Sequence, residues 1–183
     1  KLIDLEDFKI ISNPQQRKGI RSRPALLVNT KKYNVRNLTN TLISIPWGCE
    51  AVWAIITPKN VTSASKIQKI ALCSVYCKPN SRTKTKLLDH ISLSYNILSA
   101  KYQAGLHFTI AGDTNDLKLY SILQLNPRMQ QVVQGITRLD PPRLLDPIIT
   151  TLGPYYQLPK ILPPLDADIG SGGKTSDHLI PLM

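Results

Sequence analysis

Cysteine is scarce in this chain: three in 183 residues, Cys49, Cys73 and Cys77. An odd, low count excludes a disulfide scaffold. Cys73 and Cys77 flank a strand-like run with no second Cys or His pair beside it, so a zinc site is excluded as well, and the three read as small buried hydrophobes. No apolar run reaches the ~20 residues needed to cross a bilayer, so no membrane partner is expected. Residues 1–7 alternate charge and hydrophobe too closely for a secretory leader, and the absence of an opening Met suggests a piece of a longer polypeptide. Acidic residues are few, 12 against 23 Lys and Arg, for a formal net charge of +11. A field of that sign draws polyanions, although a basic protein without a nucleic-acid role has the same balance. With 42% apolar and 19% charged residues the chain is globular and long enough for one domain over 1–183.

Residues 13–24, rich in Pro, Gln, Arg, Gly and Ser, read as a loop. Ala25-Leu26-Leu27-Val28 is a short buried strand. Neighbouring strands are predicted over 42–46 and 50–56, around a Pro46-Trp47-Gly48 turn, and another over 67–76. Their continuous apolar runs suit strands covered on both faces. Between 84 and 103 the period lengthens: Leu87, Leu88, Ile91, Tyr95, Leu98 and Tyr102 mark one face of an amphipathic helix that Gly105 ends. A strand over 106–111 stops at Gly112-Asp113. A second helix is predicted over 126–134, a strand over 145–151, a Pro- and Gly-rich loop over 154–173 and a closing strand over 179–183. Mostly strand with two helices, the order predicts an α+β or layered α/β domain.

Three stretches carry chemistry. In Ile110-Ala111-Gly112-Asp113-Thr114-Asn115 a buried strand delivers Asp113 and Asn115 to its end on one face, with Thr114 opposite. A carboxylate there can hold Mg²⁺ or accept a proton, and the carboxamide can donate to phosphate or orient water. Taken alone the stretch reads more readily as a Gly-Asp turn closed by an Asx bond. In Ser176-Asp177-His178 a Gly-rich loop feeds a carboxylate and an imidazole into the last strand, a pairing that suits phosphoryl transfer but also fits a solvated pair. At Tyr76-Cys77-Lys78-Pro79-Asn80 a strand ends in a polar aromatic, whose hydroxyl could bind phosphate or simply sit on the rim. Gly172-Gly173-Lys174-Thr175 is no phosphate loop, since Asp168 stands where that motif needs Gly and a strand follows rather than a helix. His90 and His107 read as structural.

These motifs in this order resemble the endonuclease/exonuclease/phosphatase superfamily: Tyr76 through Asn80, Gly112-Asp113-Thr114-Asn115, Leu145-Asp146 and Ser176-Asp177-His178. The stretch from Gln130 to Arg138, then Leu145-Asp146, then a Pro-rich loop into Ser-Asp-His, is similar to the endonuclease domain of non-LTR retrotransposon reverse transcriptases, and Arg23-Pro24-Ala25-Leu26-Leu27-Val28-Asn29 resembles a strand of those proteins. The resemblance covers nearly the whole chain. Thr114 stands where the family usually has Phe.

The resemblance implies a deoxyribonuclease-I-like, two-layered β-sandwich flanked by helices. It implies a Mg²⁺- (or Mn²⁺-) dependent endonuclease that nicks DNA, joined or adjacent to a reverse transcriptase, intracellular and nuclear when acting on DNA. By it, Asp113 positions the attacking water and contributes to the metal site with Asp177, Asn115 holds the water and the phosphate, and His178, oriented by Asp146, hydrogen-bonds the scissile phosphate. Tyr76 and Asn80 bind phosphate, while Thr137 and Arg138 shape the substrate surface. The family's Asn-bearing first strand and catalytic Glu have no match before Arg23. The chain therefore corresponds to the C-terminal two-thirds of such a domain, with its main metal ligand expected upstream of Lys1 and no activity expected of the fragment alone. The competing functions are a superfamily phosphatase acting on small phosphoesters and a catalytically dead relic that binds nucleic acid.

Overall fold

The computed structural model describes residues 5–13, 23–60, 67–79, 82–103, 105–155, 160–162 and 180–182. Its centre is a six-stranded sheet in the order β3 (Tyr33–Asn37), β4 (Glu50–Pro58), β5 (Lys69–Tyr76), β6 (Leu106–Asp113), β8 (Ile148–Thr150) and β7 (Gln130–Gln131). Only β5 and β6 run parallel, and helix α1 (Lys84–Tyr102) provides the crossover that parallel neighbours require. The other pairs in this sheet are antiparallel.

Strand β4 explains the continuous apolar run. Ala51, Trp53 and Ile55 pack toward α1 with Cys73, Ile91 and Leu98, while Val52, Ala54 and Ile56 pack with Ile11 and Val28 from β1 (Phe8–Ser12) and β2 (Ala25–Asn29). Those two strands form an antiparallel sheet of their own, so two β-layers face each other and the helices lie on the outer side of the larger one. This is the expected layered α+β sandwich flanked by helices. β9 (Lys160–Leu162) and β10 (Ile180–Leu182) form a further antiparallel pair. All three cysteines are free and buried, as their apolar settings imply.

Several elements differ from expectation. The apolar stretch 42–46 is not a strand: the amides of Thr41, Leu42 and Ile43 all turn back onto the carbonyl of Leu38, and Asn40 adopts φ 57°. Ile43 is buried as a loop anchor, while the sheet edge is the polar-looking Tyr33–Asn37. The predicted helix over 126–134 is absent, because Asn126 Oδ1 accepts from Arg128 N in a turn and Gln130-Gln131 pair with β8. The second helix is instead α2 (Leu119–Leu123). The strand predicted over 145–151 shrinks to Ile148–Thr150, since Pro147 offers no amide hydrogen and the amides of Leu145 and Asp146 bond elsewhere. The tail read as loop contributes β9.

Candidate functional site

One end of the large sheet gathers most of the polar residues singled out above. β5 and β6 finish together, with Tyr76 and Asp113 in direct register. β8 runs the other way and begins at this end, so Asp146 stands just before it. β4 also begins here, with Glu50 opposite Tyr76. Strand ends of this kind hold side chains on rigid backbone at the border with solvent.

Gly112 sets the approach. It has φ 137°, and a Cβ there would lie 2.0 Å from the carbonyl oxygen of Val75. Only glycine lets β6 close on β5 at this point, just before the carboxylate. Asp113 and Asn115 are half-buried neighbours, while Thr114 between them is buried. Thr114 donates its amide (2.7 Å) and its hydroxyl (3.0 Å) to the carbonyl of Leu145. Asn115 Nδ2 donates to Asp113 Oδ1 at 2.5 Å and to the carbonyl of Cys77 at 2.8 Å. Its two N–H groups are thereby committed to the protein, leaving the amide oxygen as what it can offer a ligand: an acceptor that orients water, not a donor to phosphate.

Thr137 is fully buried, so it forms no part of a substrate surface. Its hydroxyl oxygen accepts from the amides of both Leu145 and Asp146 at 2.9 Å. It is a positioning residue for the Asp146 segment. Arg138 is half-buried and exchanges main-chain hydrogen bonds with Arg143, closing the turn that precedes that segment.

Four further neighbours, Arg23, Glu50, Lys84 and Asp116, carry no local signal of this placement in the sequence. The Arg23 guanidinium lies over the Tyr76 ring, 4.1 Å from its centroid, and the Arg23 amide donates to Glu50 Oε2 at 3.3 Å. Lys84, opening α1, pairs with Asp116 at 2.7 Å. Burial pushes the Cys77 thiol up; Lys84 pulls it down, and Asp116 and Asp113 push it further up. Cys77 therefore stays protonated and is no nucleophile. The pairing of Glu50 with Tyr76 joins residues far apart in sequence, and no local pattern signals it.

Asn80, Asp177 and His178 lie outside the described residues, as does the glycine-rich stretch before them. Among the described residues no group of three His, Cys, Asp or Glu side chains could hold a metal ion. Mg²⁺ commonly takes only one or two protein carboxylates, and Asp113 can supply one. Among the described residues, then, no metal site is complete, and Asp113 is the one residue of the Gly-Asp-Thr-Asn stretch that could lend a carboxylate to one. No described helix is long and apolar enough to cross a membrane.

No family model matches the chain, and no curated protein matches it. Solved structures do. A humanized D. rerio TDP2 with 14 mutations is 12% identical, with a TM-score of 0.58 over 95% of this chain and 74% of that one. D. rerio TDP2 complexed with a single-strand DNA product is 13% identical, with a TM-score of 0.56 over 95% and 75%. The human Nocturnin catalytic domain with bound sulfate is 14% identical, with a TM-score of 0.56 over 95% and 70%. At such identities the likeness is one of fold: this chain has the deoxyribonuclease-I-like sandwich of those proteins.

Proposed function

We propose that the chain is the phosphodiester-cleaving part of a metal-dependent DNA endonuclease, of the kind carried by non-LTR retrotransposon reverse transcriptases and acting on nuclear DNA. The observation that carries the reading is the meeting of Tyr76, Asp113 and Asn115 with the Thr137-anchored Asp146 segment at one end of the sheet. The net charge of +11 supports a polyanionic substrate, and the D. rerio TDP2 structure of this fold holds a DNA strand. In this reading Asp113, held by Asn115, takes the proton of the attacking water, and the Asn115 amide oxygen aims that water. The Tyr76 hydroxyl contacts phosphate, with Asn80 beside it. His178, oriented by Asp146, stabilises charge on the phosphoryl oxygens. When bound by Asp113 and Asp177, Mg²⁺ would neutralise charge on the phosphate.

The test is nicking of supercoiled plasmid by the polypeptide that carries this chain, in Mg²⁺ or Mn²⁺ and after chelation. Asp113→Ala and His178→Ala should each slow nicking by ~100-fold or more while DNA affinity holds, and chelation should stop it. A His178→Ala protein that nicks at the wild-type rate removes the mechanism. Release of inorganic phosphate from small phosphoesters without nicking would favour a phosphatase instead.

A further inference from the structure

The opposite end of the same sheet opens into a cleft of about 740 Å³. Six residue steps along β6 lie between His107, in its wall, and Asp113, or ~20 Å at the rise of a strand. The cleft falls in the size range of small-molecule sites. Its wall includes Gln68, His107, Arg128, Gln130, Thr151 and Tyr155.

His107 is the informative group. It is only 7% exposed. Thr151 Oγ1 already accepts from the Phe108 amide at 3.0 Å, so its hydroxyl hydrogen is available for His107 Nδ1, 3.3 Å away. With the Thr151 hydroxyl as the donor, the ring proton sits on Nε2, for which no partner is found among the described residues. In the wall of an open cleft that N–H is placed to donate to an acceptor on a ligand. The Tyr155 ring stands edge-on to it at 6.2 Å and is 54% exposed, open to stacking. The Arg128 guanidinium has no partner among the described residues either, and its fork suits a phosphate. The Gln130 amide is held over Gly153, where a Cβ would meet Oε1 at 2.3 Å, and Gln68 lies over Gly105. Both carboxamides are suited to the donor and acceptor edges of a base.

We propose that this cleft is a second ligand site, for a nucleoside phosphate, with the phosphate on Arg128 and His107 and the base against Tyr155. The nucleotide comes either free or as one unit of a single strand. The inference does not depend on the role proposed for Asp113.

Calorimetric titration of the whole chain tests it, with AMP, adenosine and a 5′-phosphorylated trinucleotide as probes. AMP should bind saturably, and adenosine at least about tenfold more weakly, the scale of one charge-assisted contact. Arg128→Ala and Tyr155→Ala should each weaken AMP by a similar factor. Asp113→Ala, and Lys9→Ala as a control of equal charge on β1, should leave it unchanged. Equal affinity for AMP and trinucleotide points to free nucleotide, and tighter trinucleotide binding to a strand. Absence of saturable binding by either phosphorylated probe overturns the proposal, as does equal affinity for AMP and adenosine. So do equal losses in Arg128→Ala and Lys9→Ala, or wild-type affinity in both cleft variants. Thermal melts of each variant check that the fold is intact.

Discussion

Acid should unfold this protein partly through one imidazole. His90 on α1 is 4% exposed, and its Nε2 accepts the indole N–H of Trp53 at 3.0 Å, the rings standing edge to face at 76°. Burial lowers its pKa from 6.5 to about 4. Between those values the unfolded chain binds a proton that the folded chain refuses. The stabilisation is therefore complete above pH 6.5 and is lost as pH falls toward 4. At about 1.4 kcal/mol per pKa step, His90 costs the fold about 2 kcal/mol at pH 5 and ~3 kcal/mol below pH 4. Urea unfolding followed by tryptophan fluorescence at pH 8, 6.5 and 5 measures this. His90→Gln offers the indole an acceptor that does not titrate, so its stability should fall about 2 kcal/mol less between pH 8 and 5 than the wild type's. Parallel pH curves for the two proteins would refute the reasoning. If the variant does not fold, the imidazole NMR signal decides, since a wild-type midpoint near 6.5 would be equally damaging.

Gly112→Ala should destabilise by roughly 3 kcal/mol or more, because its Cβ has nowhere to go but into the β5 backbone; an unchanged denaturation midpoint would mean that the strands can part at no cost. Thr137→Val strands two amide hydrogens, for a loss of about 2–4 kcal/mol that Thr137→Ser largely restores, read by urea midpoint. Should Ser and Val behave alike, the hydroxyl is not the anchor. Affinity for duplex DNA should fall steeply between about 50 and 200 mM salt, as counterions return to the phosphates. Binding indifferent to salt would argue against a surface driven by charge.

Where sequence and structure agree, burial is the reason. β4, β5, α1 and β6 are the covered elements, and their apolar periods are unbroken; β2 forms where a buried strand is expected, but only Val28 is buried and Leu27 stands 50% exposed. Tyr33–Asn37 was missed because an edge strand with one covered side, Tyr-Asn-Val-Arg-Asn, looks like polar coil. The 42–46 stretch misled for the opposite reason: apolar residues also pin loops, and Asn40 was the sign of a turn. Asp113 was visible because a buried strand stopping at Gly-Asp is a local pattern. Thr137 was credited with a surface role because no local pattern shows that its hydroxyl turns inward to two amides eight and nine residues on. Glu50 reaches Tyr76 through the pairing of β4 with β5, and Arg23, just before β2, reaches it from the other sheet.

The double covering of β4 has a cost in specificity. A strand with one wet face is held in register by polarity, since a slip of one residue would expose every apolar side chain. In β4, Ala51 through Ile56 are all buried, so a slipped strand would still bury hydrophobes on both faces. Shape and a single polar bond must reject that alternative. Trp53 fits only on the helix side, where its N–H finds His90; slipped by one, it would press into the layer that Ile11 and Val28 fill and leave that N–H stranded. Removing the tryptophan should therefore do more than open a cavity: it should let the central strand settle in more than one alignment.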